Sequence, residues 1–128
     1  YLPRDFETDA RPVLLSADVT HEHVLVRERA GHWTFSGYVD FGDAVVGPPL
    51  HEFAAPAACL THGSLDSERA RLCGYGIEEA AVGPALADRL TAHVQLHRYI
   101  RMDDLFAILA PVVPADLNEL RRALWSFG

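Results

Sequence analysis

The hydrophobic period of the chain changes at Gly47-Pro48-Pro49, and a fold built from one type of element cannot accommodate both halves. Before that turn the apolar residues come in short runs rich in β-branched and aromatic side chains. Pro12-Val13-Leu14-Leu15-Ser16 predicts a buried strand, and Val24-Leu25-Val26 and Trp33-Thr34-Phe35-Ser36-Gly37-Tyr38-Val39 predict two more. The polar stretch Arg27–His32 between the last two contains Gly31, which can take a positive φ, so a hairpin joins them. Beyond Leu50 the spacing turns helical. Leu50, Phe53, Ala54 and Ala57 share one face of a helix that Pro56 shortens or kinks. Ser64 or Asp66 caps a second helix over Leu65–Cys73, ended by Gly74 and Gly76. The longest periodic stretch runs from Leu86 to Leu109, and Asp116-Leu117-Asn118-Glu119 spells a capping box that opens a last helix to Phe127. The expected architecture is α+β and mainly helical, with a small β-hairpin region followed by about four helices.

Composition narrows the function. The 128 residues carry a formal charge of −7 and contain no lysine, since all 11 basic residues are arginine. Schiff-base chemistry and a phosphate-clamping lysine are therefore excluded within this segment. A chain this acidic argues against a nucleic-acid partner that needs a basic face; its charge either attracts a cationic ligand or merely keeps the protein soluble. No apolar run approaches the roughly 20 residues that span a bilayer, and the start Tyr1-Leu2-Pro3-Arg4-Asp5 has no signal-peptide pattern. Cys59 and Cys73 lack metal-type spacing and are expected as reduced core thiols, consistent with a cytoplasmic setting.

The residues that carry chemistry flank the hairpin. Asp18 follows the first strand, and Asp40 follows the hairpin's second strand, directly before Phe41-Gly42. A hairpin returns the chain to where it left, so the two carboxylates are expected close together. Phosphoryl transfer uses such a pair, one carboxylate holding the metal that neutralises phosphate charge and the other orienting the attacking hydroxyl.

Three blocks in this order resemble a known family. Ser16-Ala17-Asp18-Val19-Thr20-His21-Glu22-His23-Val24-Leu25-Val26 resembles the His-Gly-Asp-Leu-His-x-x-Asn catalytic loop of aminoglycoside phosphotransferases and their choline-kinase-like relatives. Tyr38-Val39-Asp40-Phe41-Gly42-Asp43-Ala44 is similar to their Ile-Asp-Phe/Trp-Gly-Asp-Ala metal motif. Gly47-Pro48-Pro49-Leu50-His51-Glu52-Phe53-Ala54 resembles the Gly-Asp-Pro-x-x-Asp-Leu-Ala that follows. The blocks cover about residues 11–55. Leu96-His97-Arg98-Tyr99 and the ending Leu120–Phe127 resemble hygromycin-type members.

The resemblance implies a protein-kinase-like C-terminal lobe spanning 1–128, with the catalytic and metal motifs in 11–55 and a helical substrate-side subdomain in 56–128. It makes Asp18 the catalytic base and Asp40 the main Mg²⁺ ligand. His23 stands where the family has its second metal-binding Asn, which places it with Asp40 in the nucleotide and metal site. ATP is the implied co-substrate, and a small cationic acceptor such as an aminoglycoside, the chemistry of antibiotic resistance, is the implied partner. Ser16 replaces the family's His, Pro48 replaces an acidic residue, and Glu52 stands in for the later Asp. The family's nucleotide lobe, with its lysine–glutamate pair, does not occur in these residues, so the chain is expected to be a fragment that transfers little phosphate alone. A non-catalytic, pseudokinase-like module binding a ligand or partner is the alternative.

Other signals have plainer accounts beside them. His21-x-His23 with Asp40 spells a three-ligand metal site if the histidines lie on an extended strand. His93 and His97 share a helix face but have no catalytic Glu between them. Asp103-Asp104 with Glu78-Glu79 forms either an acidic wall for ammonium groups or solvated helix-end charges. Trp33 and Trp125 are expected as packing residues.

Overall fold

The computed structural model describes residues 10–111, 113–125 and 127; the reading of Tyr1–Asp5 lies outside them. Four strands form two separate two-stranded antiparallel sheets. β1 (Val13–Leu15) pairs with β4 (Val45–Gly47), Leu14 opposite Val46. β2 (Val24–Arg29) pairs with β3 (His32–Tyr38), from Val24 opposite Tyr38 to Arg29 opposite His32. The hairpin is tighter than the sequence suggests. Its turn is only Ala30-Gly31, with φ of 49° and 79°, and this double left-handed pair matches the strands' twist. A bulge after Leu25 leaves Ser36 unmatched and bends the ribbon near the site.

This topology is what makes a site. The Asp18 loop connects β1 to β2, and the Asp40 loop connects β3 to β4. Because β1 lies beside β4 and β2 beside β3, the two loops run side by side. The Val39 N–H donates to the His23 carbonyl at 3.0 Å and extends the ladder to the loops' edge.

Helical structure begins at Pro49. A tight 3₁₀ turn over Pro49–Phe53 passes into α1 (Ala54–Pro56), and a wider π turn over Ala57–Thr61 follows. Pro56 is where the winding changes: it shortens the regular helix as expected without ending the segment. α2 (Leu65–Tyr75) ends at Gly76, whose φ is 104°, and Gly74 stays inside the helix. α3 (Pro84–Leu96), α4 (Met102–Leu109) and α5 (Leu117–Leu124) complete five α-helical segments among the described residues. About four were expected. The extra one arises because the periodic stretch from Leu86 to Leu109 is broken at His97–Arg101, where apolar spacing continues but the backbone does not. The capping box forms at α5: Asp116 Oδ1 accepts the Glu119 N–H at 2.8 Å, while Glu119 reaches back to the Ala115 N–H at 2.8 Å.

One apolar core unites the helices. Phe53, Leu72, Leu90, Val94, Leu105, Leu120, Leu124 and Trp125 pack together, with α3 lying against the Pro49–Phe53 turn, α1 and α5. Truncating Leu90 to Ala here costs about 2–5 kcal/mol. The two tryptophans part company. Trp125 is 0% exposed as expected, but Trp33 is 69% exposed, because among the described residues no layer packs over that face of the β2–β3 ribbon. Cys73 is exposed and Cys59 half-buried, so the two free thiols are not the core pair expected. Among the described residues no helix is long and apolar enough to cross a membrane.

Candidate active site

Two loops with strained backbones meet at one imidazole. Ala17, which is buried, has φ of 60°, and Asp40 has φ of 66°. The left-handed region costs a residue with a Cβ about 1–2 kcal/mol, so both loops are held by something stronger. Ala17 stands where the resembled motif has glycine, and its φ gives the physical reason for glycine there. Asp40 tolerates the region because its own Oδ1 accepts the Gly42 N–H at 3.1 Å, closing a local turn.

Glu52 holds the Asp18 loop. Its carboxylate accepts the Ser16 N–H at 3.2 Å, the Ser16 hydroxyl at 2.8 Å and the Ala17 N–H at 3.2 Å. The position was legible as a stand-in for an acidic residue, and three hydrogen bonds now define what it does. Two further donors fix the loop's carbonyls. The Tyr38 hydroxyl donates to the Asp18 carbonyl at 2.9 Å, and His97 Nε2 to that of Ala17 at 2.8 Å. Burial pushes the Tyr38 phenol above its ordinary value, which keeps it a donor. The sequence carried no signal for either contact, since His97 lies 80 positions from Ala17.

His23 stands between the two carboxylates. Its Nδ1 donates to the Asp18 carbonyl at 2.7 Å and lies 3.8 Å from Asp18 Oδ2, while its Nε2 lies 3.9 Å from Asp40 Oδ2. The Asp18 carbonyl raises the His23 pKa above the ordinary imidazole value; partial burial opposes this, and the charges of Asp18, Asp40 and Glu22 add to it. The structure thus brings the Asp18 and Asp40 side chains each within 4 Å of the His23 ring.

The three-ligand site of His21, His23 and Asp40 does not form. His21 and His23 lie in a turn rather than a strand, so their side chains do not share a face, and His21 is exposed. Among the described residues no group of three His, Cys, Asp or Glu side chains is gathered to hold a metal ion. Asp103, Asp104 and Glu79 are exposed, as the solvated helix-end charges of the plainer account would be. Arg101 lies 4.0 Å from Asp103 and 3.9 Å from Asp104, and Arg69 pairs with Glu79 at 3.3 Å. His93 and His97 are buried and belong to a cluster with His51, whose ring stacks on His97 at 5.2 Å and whose Nδ1 lies 3.3 Å from His93 Nδ1.

A carboxylate pair carried on adjacent strand-end loops is one arrangement that phosphoryl transfer can use. The sequence model of the phosphotransferase enzyme family (APH) matches residues 1–85, more than half of the 128, and the chain belongs to that family. This agrees with the resemblance of residues 11–55 to aminoglycoside phosphotransferases and choline-kinase-like enzymes. No curated protein and no solved structure matches the chain.

Proposed function

We propose that this chain is the C-terminal catalytic lobe of a kinase-like phosphotransferase that moves the γ-phosphoryl group of ATP to a hydroxyl of a small acceptor. The observation that carries this is the convergence of Asp18 and Asp40 on His23 from two strained, side-by-side loops. Asp18 orients the acceptor hydroxyl and takes its proton. The acceptor oxygen bonds to the γ-phosphorus as the bond to the β–γ bridging oxygen breaks, and ADP leaves.

Asp40 fits Mg²⁺. Its side chain is 62% exposed, and its Oδ2, 3.9 Å from His23 Nε2, takes no part in the turn that engages Oδ1. Mg²⁺ takes oxygen ligands, commonly one or two carboxylates with waters and substrate phosphates completing the shell. Bound there, it would neutralise phosphate charge. His23 fits Mg²⁺ poorly, being a nitrogen ligand whose Nδ1 is already committed to the Asp18 backbone. Its role in this reading is to orient Asp40 through Nε2.

The acceptor's body has a candidate seat next to Asp18. A cavity of about 280 Å³ opens at Val19, walled by Phe53, Pro56, Tyr75 and Arg71. The net charge of −7 favours a cationic acceptor, an aminoglycoside or another amino alcohol. The chain has no lysine, so in this reading the lysine that this chemistry sets against the nucleotide phosphates is supplied from outside these 128 residues. The test is transfer from γ-labelled ATP to a panel of amino alcohols and aminoglycosides, using the longest natural form of the protein. Asp18→Asn should abolish labelling without unfolding the protein; labelling that survives the substitution would sink the assignment.

The pseudokinase-like alternative rests on His23, which takes the place of an oxygen ligand. Retention of both carboxylates in strained loops weighs against it, because a module free of chemistry has no use for that strain.

A further inference from the structure

His97 is the residue at which α3 ends, and its backbone is extended, with φ of −70° and ψ of 129°. The chain bends at Arg98 and Tyr99, and from this short segment His97 and Tyr99 each reach one of the two site loops. His97 Nε2 donates to the carbonyl of Ala17, the residue before Asp18, at 2.8 Å. The Tyr99 hydroxyl donates to Asp43 Oδ1 at 2.6 Å, three residues beyond Asp40 in the same loop. That loop is itself closed by the Gly42 N–H to Asp40 bond and by the Ala44 N–H to Phe41 carbonyl bond, so a hold on Asp43 reaches Asp40.

The grip is built rather than incidental. The Tyr99 N–H donates to His97 Nδ1 at 3.3 Å, which leaves the hydrogen on Nε2, where the Ala17 carbonyl needs it. His97 is 6% exposed, and its ring is stacked on His51 at an interplanar angle of 24°. Arg98 lies over the Tyr99 ring at 4.7 Å. Behind the segment, Leu90 and Val94 anchor α3 in the core.

We propose that His97 and Tyr99 are positioning residues, a short strut from the end of α3 that fixes the Asp18 loop relative to the Asp40 loop. The proposal rests on the reading of Asp18 as base and Asp40 as metal ligand. In-line transfer requires the acceptor hydroxyl and the phosphate to meet within a fraction of an ångström, and two loops linked to one rigid helix end keep that spacing.

The test combines hydrogen exchange and calorimetry on the intact chain, with variants Tyr99→Phe, His97→Leu and His97→Gln. Losing one hydrogen bond should speed exchange about three- to tenfold, at residues 40–44 for Tyr99→Phe and at 17–20 for His97→Leu, with α3 unchanged. His97→Gln, which can still donate to the Ala17 carbonyl, should restore most of the protection, a rescue that mere core filling by Leu would not give. Mg²⁺-dependent ATP binding should weaken by a similar factor in Tyr99→Phe. Unchanged exchange of both loops in Tyr99→Phe and His97→Leu overturns the strut. Absence of γ-phosphoryl transfer by the longest natural form of the protein defeats the proposed function instead, and the exchange results still decide the strut.

Discussion

Glu52 accepts the Ser16 hydroxyl at 2.8 Å and, with its two carboxylate oxygens, also holds the backbone N–H groups of Ser16 and Ala17. Residues 36 positions apart are thereby joined across the boundary between the strand half and the helical half. The loop ahead of Asp18 is part-buried, so these donors have little access to water. Glu52→Ala should cost about 2–4 kcal/mol in a urea titration, the penalty of leaving such donors without an acceptor. Glu52→Gln, which keeps one acceptor oxygen, should cost less. Equal stability of Glu52→Ala and wild type would show that the loop is held by other means.

Ala17→Gly tests the strain. Glycine relieves a left-handed penalty of about 1–2 kcal/mol but adds about 0.4–1 kcal/mol of unfolded-state entropy. The midpoint of unfolding should therefore hold or rise slightly. Ala17→Val, β-branched at φ of 60° in a buried position, should lose more than about 2 kcal/mol. A clearly destabilised Ala17→Gly would mean that the methyl group packs more favourably than the backbone is strained.

Gly63 is fixed by both its conformation and its neighbours. Its φ is 76°, and a Cβ there would lie 2.3 Å from the Ala123 carbonyl oxygen on α5. Gly63→Ala combines a left-handed penalty with a backbone clash and should cost about 2–4 kcal/mol by thermal or chemical denaturation. Tolerance of the methyl group would show that α5 can shift away from the Ala57–Thr61 turn.

The histidines give the stability curve two opposing slopes. Burial, then the neighbouring His97 and His93, lowers the His51 pKa below 6.5, while Glu52 opposes. A lowered imidazole contributes stability that is full above the unfolded value and is lost as pH falls through the folded one. His23, raised above 6.5 chiefly by the Asp18 carbonyl, acts the other way: its contribution is full below 6.5 and fades as pH rises through its folded value. Urea midpoints between pH 5 and 8 should fall more toward the acid side in wild type than in His51→Gln, because only wild type carries the lowered His51. An identical acid-side slope in the two proteins would remove His51 from this role.

Much of the frame was legible because its signals are local. Gly31 marked the hairpin, Asp116 and Glu119 marked the start of α5, and the strand-end positions of Asp18 and Asp40 placed them side by side. What stayed hidden depends on partners distant in sequence. Leu14 pairs with Val46 through a contact that no spacing announces. Trp33 has the pattern of a packed residue, yet among the described residues its side of the ribbon is open, and period alone cannot tell a covered face from an open one. The apolar period runs unbroken past His97, so the end of α3 at His97, where the chain turns toward Ala17 and Asp43, is not announced by spacing.

The central claim is that Asp40 holds the magnesium ion that brings ATP to Asp18, and calorimetry of this chain with ATP addresses it directly. The account predicts weak binding that requires Mg²⁺ and disappears in Asp40→Ala, whose fold remains intact. Binding of equal strength with and without Mg²⁺, or unchanged in Asp40→Ala, would contradict it.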